Sequence, residues 1–183
     1  MLFGEHFLSA IVFGPLVLAM GLFLLPKKQE NLAKVYALAV SLFIFILSLG
    51  LYTGFSAQET AYQFKYTHEW LSFVGINYTI GVDGISLFLI LLTTFLMPII
   101  ILSAWHAVEK RVRAYLFCML FLESAILGAF VSLDLFLFYI FWEAMLIPMF
   151  FIIGFWGCIE RIYPATIFML CTLFGSVRSF LSF

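Results

Sequence analysis

Long apolar runs follow one another along this chain, separated by short polar breaks. A helix needs about 20 apolar residues to cross a bilayer. Phe7–Leu25 is uncharged over 19 residues, Val35–Phe55 over 21 and Gly84–Trp105 over 22. Ala114–Leu133 carries one charge, at Glu123, and Leu135–Gly157 carries one, at Glu143. A sixth run starts at Ile162 and stays uncharged to Val177, where Arg178 interrupts it. The pattern predicts an all-α polytopic membrane fold of about six transmembrane helices, five of them complete, in a single membrane domain over residues 1–183.

One break is long: the 28 residues from Ser56 to Asp83. Within it Tyr62, Phe64 and Tyr66 alternate with Gln63, Lys65 and Thr67. Ile76, Tyr78, Ile80 and Val82 alternate with Asn77, Thr79, Gly81 and Asp83. Period two is the signature of a strand with one covered face. A small β-hairpin in this connection, or a loop draped over the helix ends, is expected.

Composition strengthens the membrane reading. The chain is 65% hydrophobic and 10% charged, against about 25% charged in soluble domains. A net charge of −1 points to no nucleic-acid partner. The lipid bilayer is the partner that composition implies. Cys118, Cys158 and Cys171 have neither metal-ligand spacing nor clustered histidines, so they read as small apolar packing residues. No cleavable signal peptide is expected, because "MLFGEH" lacks a positive charge. Seven of the nine basic residues (Lys27, Lys28, Lys34, Lys110, Arg111, Arg113 and Arg161) fall in the odd-numbered connections. The positive-inside rule then puts those connections in the cytoplasm and the N-terminus outside.

Against this background the two intramembrane acids stand out. A charge at a helix centre costs about 2.5–3.5 kcal/mol on insertion scales. Glu123 and Glu143 each sit near the centre of their run. Three arrangements offset the cost: a carboxyl kept neutral by burial, a basic partner on another helix, or a hydrated cavity. All three turn the acid away from lipid, and the first two suit a proton carrier. The plainer reading is a neutral glutamate that hydrogen-bonds one helix to another. Glu143 has polar company. Pro148 has no N–H, which leaves the Ala144 carbonyl without its helical donor. Tyr139, four residues before Glu143, lies on the same face. Pro98 likewise frees the Thr94 carbonyl, which a threonine hydroxyl can re-satisfy. Asp83 and Asp134 open helices and read as caps.

"INYTIGVDGISLFLILLTTFLMPI" (76–99) and "FLESAILGAFVSLDLFLFYIFWEAMLIPMFFIIGFWG" (121–157) closely resemble chain M of bacterial respiratory complex I. That is the antiporter-like membrane-subunit family homologous to mitochondrial subunit 4 of NADH:ubiquinone oxidoreductase. The resemblance covers most of the chain, with the first 60 residues matching in pattern only. It implies proton translocation in a bacterial inner membrane, beside other membrane-arm subunits of the complex. Glu143 matches the family's channel glutamate, which is coupled to a lysine on a later, broken seventh helix. Glu123 matches a second family acid, a candidate proton relay, while Tyr139 is a candidate support of Glu143 from its place on the same helix face. The same resemblance implies no cofactor in this chain. NADH, FMN, iron–sulfur clusters and quinone belong to partner subunits.

The departures from the family matter too. The chain corresponds to the family's first third, without the seventh helix. Ile167 stands where a lysine is typical, four residues after Tyr163, and the tail "VRSFLSF" breaks the apolar continuation. A truncated or frame-shifted product is therefore expected, with Glu143 short of its partner and no proton pumping by the chain alone. Removing one member of a buried pair typically costs about 3–5 kcal/mol. Two alternatives stay open: a large subunit of a multi-subunit Na+/H+ antiporter, and a degenerate membrane fragment without transport.

Overall fold

The computed structural model describes residues 6–26, 29–56, 61–71, 76–157 and 162–181. Lys27, Lys28, Cys158 and Arg161, singled out above, lie outside the described residues. Six helices and a two-stranded antiparallel sheet follow in the order α1 (Phe7–Leu24), α2 (Glu30–Gly54), β1 (Gln63–Leu71), β2 (Ile76–Val82), α3 (Gly84–Ala107), α4 (Val112–Val131), α5 (Leu135–Trp156) and α6 (Ile162–Leu181). Helices α1 to α5 are long and apolar enough to cross a membrane. Helix α6 forms over 20 residues and continues through Arg178.

Helix α4 is the hub. It packs against α1 and α5 most extensively and also meets α2 and α3. Small residues explain how: Ser124, Ala125, Gly128 and Ala129 are all buried and let neighbouring helices come close, as at membrane helix interfaces generally. The remaining helices expose large apolar side chains outward, among them Phe23, Phe88, Leu92 and Ile147. Lipid is the solvent such a surface requires.

The long connection resolves into the hairpin. Tyr66 pairs with Ile80 and His68 with Tyr78, with register shifts near each end of β1. The hairpin is tied down at one end of the bundle. Leu133 N–H donates to the Thr79 carbonyl at 2.9 Å, and Ser9 shares a 3.2 Å hydrogen bond with the Tyr78 phenol. Burial pushes that phenol above its ordinary range, against the opposing effect of the serine contact. Strand β2 runs almost directly into α3, which Asp83 caps: its Oδ1 accepts from Ser86 N–H at 2.7 Å while the Ser86 hydroxyl accepts from Asp83 N–H.

Cationic side chains close the opposite end. Arg113 donates to the carbonyls of Leu25 and Pro26 at the end of α1. Lys34 donates to the Trp105 carbonyl in the last turn of α3 at 2.5 Å. Cations at the C-terminal end of a helix satisfy orphan carbonyls and oppose the helix dipole. Helix α2 starts at Glu30, five residues before its apolar run, because a glutamate in a first turn favours initiation even in a polar segment.

Candidate functional site

Three local features place Glu143. Asp134 starts α5 by accepting from Phe136 N–H at 2.9 Å and Leu137 N–H at 3.2 Å. From this cap, nine residues at 1.5 Å each put Glu143 about 13 Å into the helix, close to mid-membrane. Phe141 then sets the rotation. It is buried, with its ring directly over Gly128 of α4, where a β-carbon would collide with the ring. Two further residues turn an α-helix by about 200°. Glu143 therefore faces away from α4, and it is met there by α6: the Ser176 hydroxyl donates to Glu143 Oε1. The same hydroxyl lies 3.0 Å from the Leu173 carbonyl one turn back.

Glu143 is half-buried, as are Tyr139 one turn before it and Ala144 beside it. Pro148 is buried within a helix that continues past it. Its missing N–H leaves the Ala144 carbonyl without a helical donor.

Glu123 occupies different surroundings. It is fully buried, midway along the α4 stripe of Leu116, Leu120, Leu127 and Val131, each at most 2% exposed. Neither of its carboxyl oxygens has a hydrogen-bond partner among the described residues. The polar groups of the bundle core are engaged elsewhere. Ser124 donates to the Val12 carbonyl at 2.6 Å, and the Ser48 and Thr94 hydroxyls join at 2.8 Å. Thr94 also donates back to the Ile90 carbonyl. The Thr94 hydroxyl thus ties α3 to α2 and serves the preceding turn, rather than the carbonyl that Pro98 frees. The two acids do not form one site: Glu143 belongs to the α5–α6 contact and Glu123 to the centre of α4.

The contact with Ser176 is not foreseen by the sequence reading. A serine in an apolar helix usually bonds its own preceding turn, as Ser41 and Ser48 do, so its sequence position carries no sign of a partner on α5. Ile167 is exposed and, nine residues from Ser176, lies about half a turn away around α6. Among the described residues no group of three or more His, Cys, Asp or Glu is placed to hold a metal.

Comparisons with known proteins agree with this layout. The family model described as NADH-ubiquinone oxidoreductase chain 4, amino terminus, matches residues 9–129. That described as NADH:quinone oxidoreductase/Mrp antiporter, TM, matches residues 132–183. The matches therefore include both the N-terminal segment and the divergent tail. NADH-quinone oxidoreductase subunit M of Rhodobacter capsulatus is 47% identical over 178 residues, covering 94% of this chain and 34% of the relative. NADH-ubiquinone oxidoreductase chain 4 of Chondrus crispus is 43% identical over 169 residues, covering 92% and 34%. Among solved structures, respiratory complex I from Thermus thermophilus with bound NADH superposes with a TM-score of 0.77 at 27% identity, over 92% of this chain and 33% of that one. A membrane-bound sulfane sulfur reductase, an archaeal respiratory membrane complex, shares the fold with a TM-score of 0.75 at 16% identity, over 96% and 26%. The chain spans about a third of the length of the curated relatives it matches. By these matches and by its helix order, the chain belongs to the family of NADH-quinone oxidoreductase subunit M, also called NADH-ubiquinone oxidoreductase chain 4.

Proposed function

We propose that this chain contributes to proton translocation in the membrane arm of an NADH:quinone oxidoreductase, with Glu143 as the group that takes up and releases the proton. One observation carries the reading: a carboxyl about half-way through α5 is turned from the hub helix toward α6 and hydrogen-bonded there by a hydroxyl. An acid in that position holds or gives up one proton without crossing lipid, and intramembrane acids are functional by default. Tyr139 supports it one turn away. Glu123 is a second candidate in the relay, since an ionised carboxylate buried without a partner is strongly disfavoured and a neutral one can pass a proton on.

Residues 1–183 act as a single membrane domain beside the other membrane-arm subunits, while NADH, FMN, the iron–sulfur clusters and quinone belong to partner subunits of the complex. The N-terminus lies on the periplasmic side of a bacterial inner membrane, a placement supported by Lys34, Arg113 and Lys110 gathering at the end opposite the hairpin.

NADH-driven proton uptake by inverted membrane vesicles containing the assembled complex tests this. Glu143→Gln is expected to abolish the uptake that depends on this chain, while Glu143→Asp retains part of it. Unchanged uptake in an assembled Glu143→Gln complex refutes the reading. In vesicles holding this chain alone, no Glu143-dependent flux is expected, because the acid's hydrogen-bond partner among the described residues is a serine rather than a cation. The match of residues 132–183 to a family description shared with Mrp antiporters favours one second reading, a Na+/H+ antiporter subunit. Sodium-driven proton exchange that persists without NADH would establish that alternative.

A further inference from the structure

We propose that Ser176 is the positioning residue of Glu143, and that its hydroxyl keeps the carboxyl hydrogen-bonded in both protonation states by reversing the direction of the bond. The inference rests on the reading of Glu143 as the proton-exchanging group. Ser176 Oγ has two neighbours, Glu143 Oε1 across the helix contact and the Leu173 carbonyl at 3.0 Å within α6. A serine hydroxyl offers one donor and two acceptor positions, an ionised carboxylate only accepts, and a neutral carboxyl adds one donor.

With Glu143 ionised, the hydroxyl hydrogen points to Oε1. When the carboxylate gains a proton, that O–H donates to Ser176 Oγ, and the serine hydrogen swings to the Leu173 carbonyl, which has a second lone pair free of the helix ladder. One proton is gained by the carboxylate, none is lost by serine, and no heavy atom has to move. The arrangement removes the cost of leaving a buried polar group unpaired in either state. It also fixes the carboxyl toward α6 throughout the cycle. Alanine cannot do this, whereas threonine retains the hydroxyl. Gly175 supplies a neighbouring control, because a β-carbon added there meets nothing within 4 Å.

Infrared difference spectra of the chain in lipid nanodiscs, recorded between high and low pH, read the contact directly, with the Glu143 carboxyl band assigned by its loss in Glu143→Gln. Ser176→Ala is expected to shift that band, while Ser176→Thr and Gly175→Ala leave it at the wild-type position. In vesicles containing the assembled complex, Ser176→Ala should lower NADH-driven proton uptake about tenfold or more, the scale of a misplaced reacting group, and Ser176→Thr should restore it. A band that stays in place in Ser176→Ala overturns the contact. A shifted band with undiminished uptake overturns the positioning role. If Glu143→Gln itself leaves uptake intact while the band still responds to Ser176→Ala, the function assigned to Glu143 fails and the contact stands. Should Ser176→Ala not fold, a Ser176→Cys chain, close in size but a weak donor, gives the same readings.

Discussion

Gly128 decides where Glu143 points, although the two residues never touch. The Phe141 ring fills the space that a β-carbon on Gly128 would need, and the rotation of α5 follows from that seat. Gly128→Ala should therefore push α5 outward and lower the thermal stability of the detergent-solubilised chain by about 1–3 kcal/mol, the usual range for an overpacked site. Trimming the ring should relieve the clash. Gly128→Ala combined with Phe141→Leu is expected to be less destabilised than the sum of the two single changes, as contacting pairs are. Additive losses in thermal melts would show that the ring does not rest on Gly128. At this scale both acids are legible in the sequence, since a lone charge in an apolar run announces itself. The glycine seat and Ser176 are not, because each gains its meaning from a residue on another helix.

Most of the helices and strands are legible from periodicity alone. Five apolar runs became α1 to α5 within a few residues, and the alternation in the long connection became β1 and β2. Alternation settles hairpin against loop only when something covers one face. Here the bundle end does so through Ser9, Ser132 and Leu133, which contact Tyr78, Ile80 and Thr79. The start of α3 is the point where the hairpin is anchored to the bundle. The Ser86 amide and hydroxyl hold the Asp83 carboxyl below the usual aspartate range. A depressed native value means that the cap stabilises the fold above the ordinary range, near about 3.9, and that this support is lost as pH falls through the lower native value. Asp83→Ala should cost about 1 kcal/mol at neutral pH, typical of a helix cap, and less where solvent screens the site. The gap between wild type and variant in thermal melts should close on acidification. A gap that persists at low pH would mean that the carboxylate is not what caps α3.

The assembly of the whole molecule is the least legible scale, because it depends on which faces meet. Small residues in α4 hint that it packs closely, but nothing in the run says that it, rather than α3 or α5, becomes the hub. The uneven spread of basic residues is legible, and the structure shows a second use for it. The basic residues excluded from the hairpin end are used at the other end, where Arg113 and Lys34 bind the terminal carbonyls of α1 and α3. On the topology proposed from the positive-inside rule, the charges that would keep a loop in the cytoplasm also finish the helices on that side. Single cysteines provide the test, in a chain whose own cysteines are replaced by serine. Thr67, exposed on β1, and Glu109, exposed between α3 and α4, mark the two ends. In intact cells whose outer membrane is permeable to the reagent, a maleimide that cannot cross the inner membrane should label Thr67→Cys and leave Glu109→Cys untouched. After the inner membrane is opened, both should react. Labelling of Glu109→Cys in intact cells would invert the proposed topology.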